Sequence, residues 1–421
     1  MDIYQIINYF SFALYLVICL YFVKKALSFS FIYGLIIFQS LTILPSLIYI
    51  ESGIYINEQG RNSYFSWATV ITCIYFIITL FILYLTHKQL DRYNFKTFTF
   101  TYKGKNVENL ILKSLVIGVL SILLFNASLS PLPLFDMSLS RFTYWSNSKF
   151  PFLNTIFGNT ASFIPFILGI LAPKNKRFST ILLIIYFFYN FLIGQKFSPI
   201  LNGSFSFFLP IVIMNGNKVK QIIKKRFLLI ASILSISGFI IYQVIYAKYE
   251  ARVPFANIKI YDPDEAIFYR IFGLQGHLMW GSTERFVVEG SKPQSYDPTE
   301  LLYGMEHMMA EFAYSNDVLY HNAKGGFNFT NAYPGILFKI FPVPIAFGTH
   351  LLLSITLLGF SGWILKKFVQ NNAKILAVIT FQFYIWLIYS FTMGYFYKAF
   401  YISIFLIVYF VFLKILKNRY R

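Results

Sequence analysis

Apolar stretches of about 18 to 22 residues recur along the whole of this 421-residue chain. A helix of that length, rising about 1.5 Å per residue, crosses the roughly 30 Å hydrocarbon layer of a bilayer. Hydrophobic residues make up 57% of the chain and charged residues 13%, which excludes a water-soluble domain of this size. The sequence therefore predicts an all-α polytopic membrane protein with about eleven transmembrane helices, in a range of ten to twelve. They are placed at 6–23, 29–50, 66–86, 111–134, 153–171, 178–194, 197–214, 227–246, 345–365, 375–393 and 396–413.

Basic residues are concentrated in alternate loops between these spans. Of the 36 Lys and Arg residues, 23 lie in one alternating set of loops and in the C-terminal tail. Cytoplasmic loops carry an excess of Lys and Arg, so this set and the C-terminus are predicted to be cytoplasmic. The N-terminus and the segment 247–344 then lie outside. The net charge of +19 is explained by basic loops that face an anionic leaflet, so no nucleic-acid partner is expected.

The chain accordingly divides into three parts. Residues 1–246 are predicted to form an N-terminal transmembrane bundle of about eight spans, and residues 345–421 about three further spans. Between them, residues 247–344 form one large outer loop. This loop holds 11 of the 17 acidic residues and three of the five histidines. Titratable groups gathered into one extramembrane segment indicate that the working site of the protein is there.

Two Tyr-Asp-Pro sequences, at 261–263 and 296–298, each begin a predicted helix in the outer loop. Each offers Asp as the N-cap, Pro at the first helical position and Glu at the third. The pattern predicts two amphipathic helices, over about 263–289 and 298–315.

The polar faces of these helices are rich in titratable groups. On the first helix Arg270, His277 and Glu284 recur every seven residues and share one face. Glycines close to that face would let another backbone or a ligand approach; they are Gly273, Gly276 and Gly281. The polar stripe of the second helix contains Glu300, Gly304, His307 and Glu311. The alternative is a pair of interfacial helices whose polar faces only meet water, but solvated faces have little need of histidine and glycine.

Cations on the outer side suit an anionic group at the membrane surface. No nucleoside triphosphate is available there, so a substrate would have to be activated already. The planar fork of arginine fits phosphate oxygens and stabilises a leaving diphosphate. The candidates are Arg141, Lys196, Arg252, Arg270 and Arg285. The alternative for each is contact with lipid headgroups. No Walker, dinucleotide or zinc pattern occurs, so neither a cofactor nor a metal is expected.

The layout resembles that of Wzy-type polymerases, which join the oligosaccharide repeat units of bacterial O-antigens and capsules. The resemblance rests on chain size and span number, on one long outer loop late in the chain, and on two short motifs. The motifs are the Gly-Gln-Lys-Phe turn at 194–197 and the Phe-Thr and Pro-Gly pairs at 329–335. The architecture covers nearly the whole chain, whereas the motifs cover a few dozen residues. Family members often have twelve spans and both termini inside, which this map does not reproduce.

The resemblance implies a GT-C-like glycosyltransferase of the bacterial inner membrane that needs neither metal nor nucleotide sugar. The donor would be a glycan on undecaprenyl diphosphate, and the acceptor the non-reducing sugar of a new lipid-linked repeat unit. A chain-length regulator and a flippase of the same pathway would be its partners. The diphosphate would be held by Arg270, Arg285 and Arg252, with Lys196 and Arg141 at the mouth. The general base would be Glu306 or His307, and after them His277 or Glu284.

Three alternatives remain open. An O-antigen ligase has similar architecture and the same donor but transfers the glycan to lipid A core. A flippase of lipid-linked oligosaccharides is disfavoured because transporters place charge at the bilayer midplane and usually have repeated halves. A structural membrane protein would not need the His, Arg and Glu faces of the outer loop.

Overall fold

The structure is a computed structural model of the chain. It describes residues 2–56, 59–93, 97, 99–102, 105–136, 139, 143–160, 162–195, 197–226, 228–229, 232, 235–236, 238–239, 242–243, 246, 263–290, 300–304, 308–309, 312, 331, 333–394, 396–397, 400 and 404.

The described chain is mostly helical. In chain order the α-helices are α1 Ile3–Lys25, α2 Leu27–Ile32, α3 Gly34–Ile50, α4 Ala68–Leu90, α5 Glu108–Leu129, α6 Tyr144–Asn147, α7 Leu153–Thr160, α8 Phe163–Leu171, α9 Lys176–Leu192, α10 Phe197–Lys225, α11 Pro263–Phe268, α12 His277–Thr283, α13 Glu300–Tyr303, α14 Gly335–Ile340, α15 Val343–Leu353, α16 Phe360–Gln370 and α17 Lys374–Met393. A π-helical turn follows each of α11, α12 and α15 directly; these turns are Tyr269–Gly273, Glu284–Val288 and Ser354–Gly359.

Six described helical segments are long and apolar enough to cross a membrane. They are α1, α4, α5, α10 from Pro199 onward, the continuous helix from α15 to α16, and α17. Each coincides with a span predicted from the sequence, and α3 is a shorter apolar helix within the predicted span 29–50. The chain is therefore a helical protein that is embedded in a membrane. The total of eleven spans stays a prediction, because 227–246 and 396–413 lie largely outside the described residues.

The predicted span 153–171 differs from the structure. It is divided into α7 and α8, which are separated between Thr160 and Phe163. Gly158, Asn159 and Thr160 are poor helix formers, and together they weaken the end of α7. The next predicted boundary is confirmed: a turn at 193–195 links α9 to α10, and Gly194 adopts a φ of 71° there.

Two short antiparallel hairpins lie at opposite ends of α4. Strand β1, Tyr55–Ile56, pairs with β2, Arg61–Asn62, before the helix. Strand β3, Thr101–Tyr102, pairs with β4, Lys105–Asn106, after it. A helix of 23 residues is about 34 Å long, so the two hairpins lie on opposite sides of the layer that α4 crosses.

Aromatic side chains fill the centre of the helical bundle. Phe166 of α8 stacks on Phe381 of α17, with ring centroids 3.9 Å apart. The hydroxyl of Tyr384 donates a hydrogen bond to the carbonyl oxygen of Ile32 at 2.6 Å. A buried tyrosine can thus add a large apolar ring to the core while its hydroxyl is satisfied by the backbone. These contacts attach α2 and α8 to α17.

The N-terminus of α4 is capped by a carboxylate from the preceding helix. Trp67, just before α4, has a φ of 63° and makes no side-chain cap. Glu51, at the end of α3, accepts hydrogen bonds from the backbone N–H groups of Ser66, Ala68 and Thr69 at 2.9, 2.9 and 3.1 Å. A carboxylate there satisfies unpaired N–H groups and favours the positive end of the helix dipole. Glu51 thereby holds together the two ends of the loop that carries β1 and β2.

The first predicted helix of the outer loop is present but interrupted. The sequence predicted one helix over 263–289, whereas a turn at 274–276 separates α11 and its π turn from α12. Gly273 and Gly276 flank this turn, and each glycine costs a helix about 1 kcal/mol relative to alanine. Arg270 therefore lies on a different helical piece from His277.

Part of the second predicted helix, 298–315, is present, while its predicted start at 298 lies outside the described residues. Helix α13 is followed by Gly304, whose φ of 58° ends the helix there. Met308, Met309 and Phe312 are helical again. His307 and Glu311, from the predicted polar stripe, lie outside the described residues.

Candidate functional site

Helix α12 packs between the apolar helices α3 and α4 and helix α14. Every residue of α12 is buried. The alternative in which the polar face only meets water therefore does not apply to α12, because that face is covered by protein. The hairpin loop, defined as residues 51–67 between α3 and α4, covers part of it. Two hydrogen bonds attach this loop, one from Trp280 Nε1 to Tyr64 O at 3.0 Å and one from Gln59 Nε2 to His277 O at 3.1 Å.

Two of the predicted glycines allow the close approach that the sequence indicated. A Cβ on Gly276 would lie 2.9 Å from Ser46 Oγ of α3. A Cβ on Gly281 would lie 2.8 Å from Phe312 Cδ1 and 3.1 Å from Gln59 Nε2. The groups that lie close to these glycines are side chains of the protein itself. The glycines thus seat α12 against α3 and the hairpin loop.

An ion pair joins the hairpin loop to the π turn after α12. Arg61 Nη1 donates to Glu284 Oε1 at 2.9 Å, and Arg61 Nη2 donates to Glu284 Oε2. The Glu284 side chain is 2% exposed, whereas that of Arg61 is 45% exposed. Such a two-point contact fixes the orientation of the guanidinium group as well as neutralising the buried carboxylate. The guanidinium also lies over the ring of Trp280, 4.9 Å from its centroid.

Tyr64 stands beside this ion pair. Its ring is 5.7 Å from that of Trp280, centroid to centroid, in an edge-to-face arrangement. Partial desolvation, and after it the hydrogen bond and charge of Glu284, raise the pKa of the Tyr64 hydroxyl to about 12. The hydroxyl therefore keeps its proton well above neutral pH.

Arg285 lies on the neighbouring face of the same helical turn. Its guanidinium carbon is 5.6 Å from the ring centroid of Phe286 and 5.9 Å from that of Phe312. Aromatic faces stabilise a cation that remains partly in contact with water. A Cβ on Gly281 would contact both Phe312 and Gln59, so Arg285 and the Arg61–Glu284 pair flank one short stretch of helix.

His277 is fully buried at the start of α12. Its Nδ1 lies 3.1 Å from the carbonyl oxygen of Leu274, an acceptor, so Nδ1 carries the hydrogen in this contact. The sequence predicted that His277 and Glu284 share one helix face. His277 begins α12 and Glu284 begins the π turn after it, where the Glu284 carboxylate accepts hydrogen bonds from Arg61.

The structure does not describe the side chains of the remaining predicted site residues. The backbone of Arg270 belongs to the π turn after α11, and its side chain lies outside the described part. The other candidates also lie outside the described residues; they are Arg141, Lys196, Arg252, Glu306 and His307. Their predicted roles stay predictions.

Sequence reasoning missed the hairpin loop. Arg61, Gln59 and Tyr64 lie more than 200 residues before the helix that they contact, and no local pattern connects them to it. One signal was present: the loop 51–67 is predicted to be outside, and an arginine there departs from the inward bias of the basic residues.

The described residues include no group of three or more His, Cys, Asp or Glu side chains that could hold a metal ion. Residues 298–408 match a family of unknown function, DUF6418. The match covers about a quarter of the chain and includes Phe312, but neither the hairpin loop nor α12. No curated protein and no solved structure matches the chain.

Proposed function

We propose that the protein is a glycosyltransferase that polymerises lipid-linked oligosaccharide repeat units at the outer face of the bacterial inner membrane. The acceptor sugar hydroxyl attacks the anomeric carbon of the donor glycan, and the bond from that carbon to the diphosphate oxygen breaks. The hydroxyl proton passes to a general base, and undecaprenyl diphosphate leaves. The reaction requires charge stabilisation on the leaving group more than a proton donor.

The observation that carries this proposal is the position of Arg285. It is one of the arginines that the resemblance assigned to the diphosphate, and its guanidinium is supported by Phe286 and Phe312 next to α12. A cation on an aromatic support keeps a defined orientation, which suits it to hold phosphate oxygens. Arg270 and Arg252 remain proposed partners of Arg285.

The general base is assigned first to Glu306 or His307, as the resemblance implies. Glu284 is less suited to that role, because both of its carboxylate oxygens accept hydrogen bonds from Arg61. His277 is fully buried, so a substrate would reach it only after α12 had moved. Within the proposed mechanism Glu284 is a positioning residue for Arg61.

The positive-inside pattern supports the proposed sidedness. The outer loop, the hairpin loop and the diphosphate site would face the periplasm, and the C-terminus would face the cytoplasm. A donor on undecaprenyl diphosphate is available in that outer leaflet without nucleotide sugars. Lys196 and Arg141 belong to loops that the same pattern predicts on that side.

The test is complementation of a deletion strain with variants of Arg285. Arg285→Ala should abolish long polysaccharide chains while protein expression in the membrane is unchanged. Arg285→Lys keeps the charge but not the planar fork, and should lower polymer yield about 10-fold or more. Lys149→Ala, which removes an exposed cation of another predicted outer loop, is the matched control and should retain full polymer.

The polysaccharide pattern on a gel separates the proposal from its rivals. Accumulation of single repeat units on lipid A supports a polymerase. Loss of all transfer to lipid A core points to a ligase, and lipid-linked units that stay on the cytoplasmic face point to a flippase. Long chains in the Arg285→Ala strain would show that the diphosphate assignment is wrong.

A further inference from the structure

An exposed aromatic face lies next to the Arg61–Glu284 pair. Tyr64 is 44% exposed, although its ring meets that of the fully buried Trp280 in an edge-to-face arrangement. The planar side chains of Gln59 and Arg61 lie beside it, joined by hydrogen bonds from the guanidinium to Gln59 Oε1 at 3.3 Å. An accessible aromatic ring is thus bordered by planar amide and guanidinium groups.

This surface has little net charge despite its arginine. Glu284 neutralises Arg61 by a two-point contact, and Gln59 is neutral. Glu284 and Glu289 both act on Tyr64 and outweigh the opposing charge of Arg61, so the surroundings of the ring do not favour an anion. A phosphate group would be poorly stabilised here, whereas it would be stabilised beside Arg285.

The surface also has unused hydrogen-bonding capacity. A guanidinium group has five N–H donors. In its contacts with described residues Arg61 uses four, two toward Gln59 and two toward Glu284, which leaves one N–H on Nη1. The side chain is 45% exposed, so the guanidinium group lies at a surface that a ligand can reach.

We propose that Tyr64, Gln59 and Arg61 form a binding subsite for an uncharged sugar residue. The C–H face of a pyranose stacks on the ring of Tyr64, and its hydroxyls accept hydrogen bonds from Arg61 and from the second N–H of Gln59 Nε2 and donate one to the Tyr64 hydroxyl. The subsite rests on the proposed function, because that function supplies a glycan substrate. It adds that the acceptor sugar binds at the hairpin loop, on the face of α12 next to the one that carries Arg285.

The test measures saccharide binding directly, with the full-length protein in nanodiscs. The probe is the neutral oligosaccharide released by mild acid from the host's lipid-linked repeat units and then dephosphorylated. Saturation-transfer difference NMR titrations give its Kd. We expect Tyr64→Leu, which removes the ring, to raise the Kd about 5- to 10-fold. Tyr64→Phe keeps the ring and should raise it less than about threefold.

Tyr93→Leu is the matched control. Tyr93 is 66% exposed and follows the opposite end of α4, so its loss should leave the Kd unchanged. Equal Kd values for the wild type and Tyr64→Leu would overturn the subsite, as would a wild type that binds no saccharide. Neither result bears on the role assigned to Arg285, which is tested by the length of the polysaccharide chains. Two results together would support the subsite and refute the polymerase: weaker saccharide binding by Tyr64→Leu, and normal polymer in a deletion strain that carries no copy of the protein.

Discussion

Glu284 is a buried carboxylate whose charge is compensated by one residue, Arg61, from a loop distant in sequence. Its side chain is 2% exposed, and an ionised group in such surroundings is costly unless it is paired and hydrogen-bonded. Arg61 supplies both the charge and two donors. The half-exposed Arg61, by contrast, can be hydrated when Glu284 is removed. The pair is therefore energetically asymmetric, and the two single substitutions should differ.

A double-mutant cycle tests this asymmetry. Arg61→Ala should lower the free energy of unfolding by about 2–3 kcal/mol, because it leaves a buried carboxylate without its partner. Glu284→Ala should cost less, and the double variant should be close to Glu284→Ala, so the coupling energy should be about 2–3 kcal/mol, the size of the Arg61→Ala effect. Reversible unfolding in detergent measures all three. Additive single effects would contradict the interpretation.

Among the elements, α4 shows best how a helix end can depend on residues outside the helix. Its N-terminus is capped by Glu51, which also accepts hydrogen bonds from Thr69 Oγ1 at 2.6 Å and from Asn8 Nδ2 of α1 at 2.9 Å. One carboxylate thus joins α1, α3 and α4 at the end of the bundle from which the hairpin loop projects. The position of Tyr64 above α12 depends on this junction.

Removing the Glu51 carboxylate should destabilise that junction. Glu51→Ala leaves several N–H donors without an acceptor and should lower the free energy of unfolding by about 2–3 kcal/mol. Glu51→Gln keeps one acceptor oxygen and should lose less. The exposed acid Glu289 is the control, since Glu289→Ala should change stability by no more than about 0.5 kcal/mol. A thermal midpoint for Glu51→Ala that equals the wild-type value would refute the capping role.

Across the whole molecule, polar clusters lie at both ends of the apolar bundle. At the end opposite the hairpin loop, Lys366 Nζ donates to Asp91 Oδ2 at 2.5 Å and to His87 Nε2 at 3.1 Å. Glu108, also buried there, accepts the backbone N–H of Lys374 at 3.1 Å. The buried Glu108 and the partly exposed Asp91 thus anchor the basic loops that the charge pattern assigns to the cytoplasm. The apolar layer between the two ends is what a bilayer would cover.

The orientation can be tested by cysteine labelling. In a Cys19→Ser, Cys73→Ser background, a membrane-impermeant maleimide should label Ser52→Cys in intact spheroplasts. Asn371→Cys should be labelled only after permeabilisation. Both positions are exposed at the ends of described helices, so accessibility reports the side of the membrane rather than burial. The reverse pattern would overturn the predicted sidedness and, with it, the proposed periplasmic site.

The sequence by itself determined the membrane class, the positions of the described spans and the presence of helix in both predicted segments of the outer loop. These properties depend on local features of the sequence, such as the length of an apolar run or an Asp-Pro pair that favours a helix start. Even the glycines of α12 were recognisable as points of close approach, although their partners were not.

Only the tertiary structure decided which residues form the candidate site. Arg61 and Glu284 are 223 positions apart, and Glu51 caps a helix that begins 17 residues later. The tertiary structure also buries the polar face of α12. At the turn that follows, Glu284 accepts hydrogen bonds from Arg61. Such pairings depend on how helices pack in three dimensions, and side chains brought together by packing need share no periodicity along the chain.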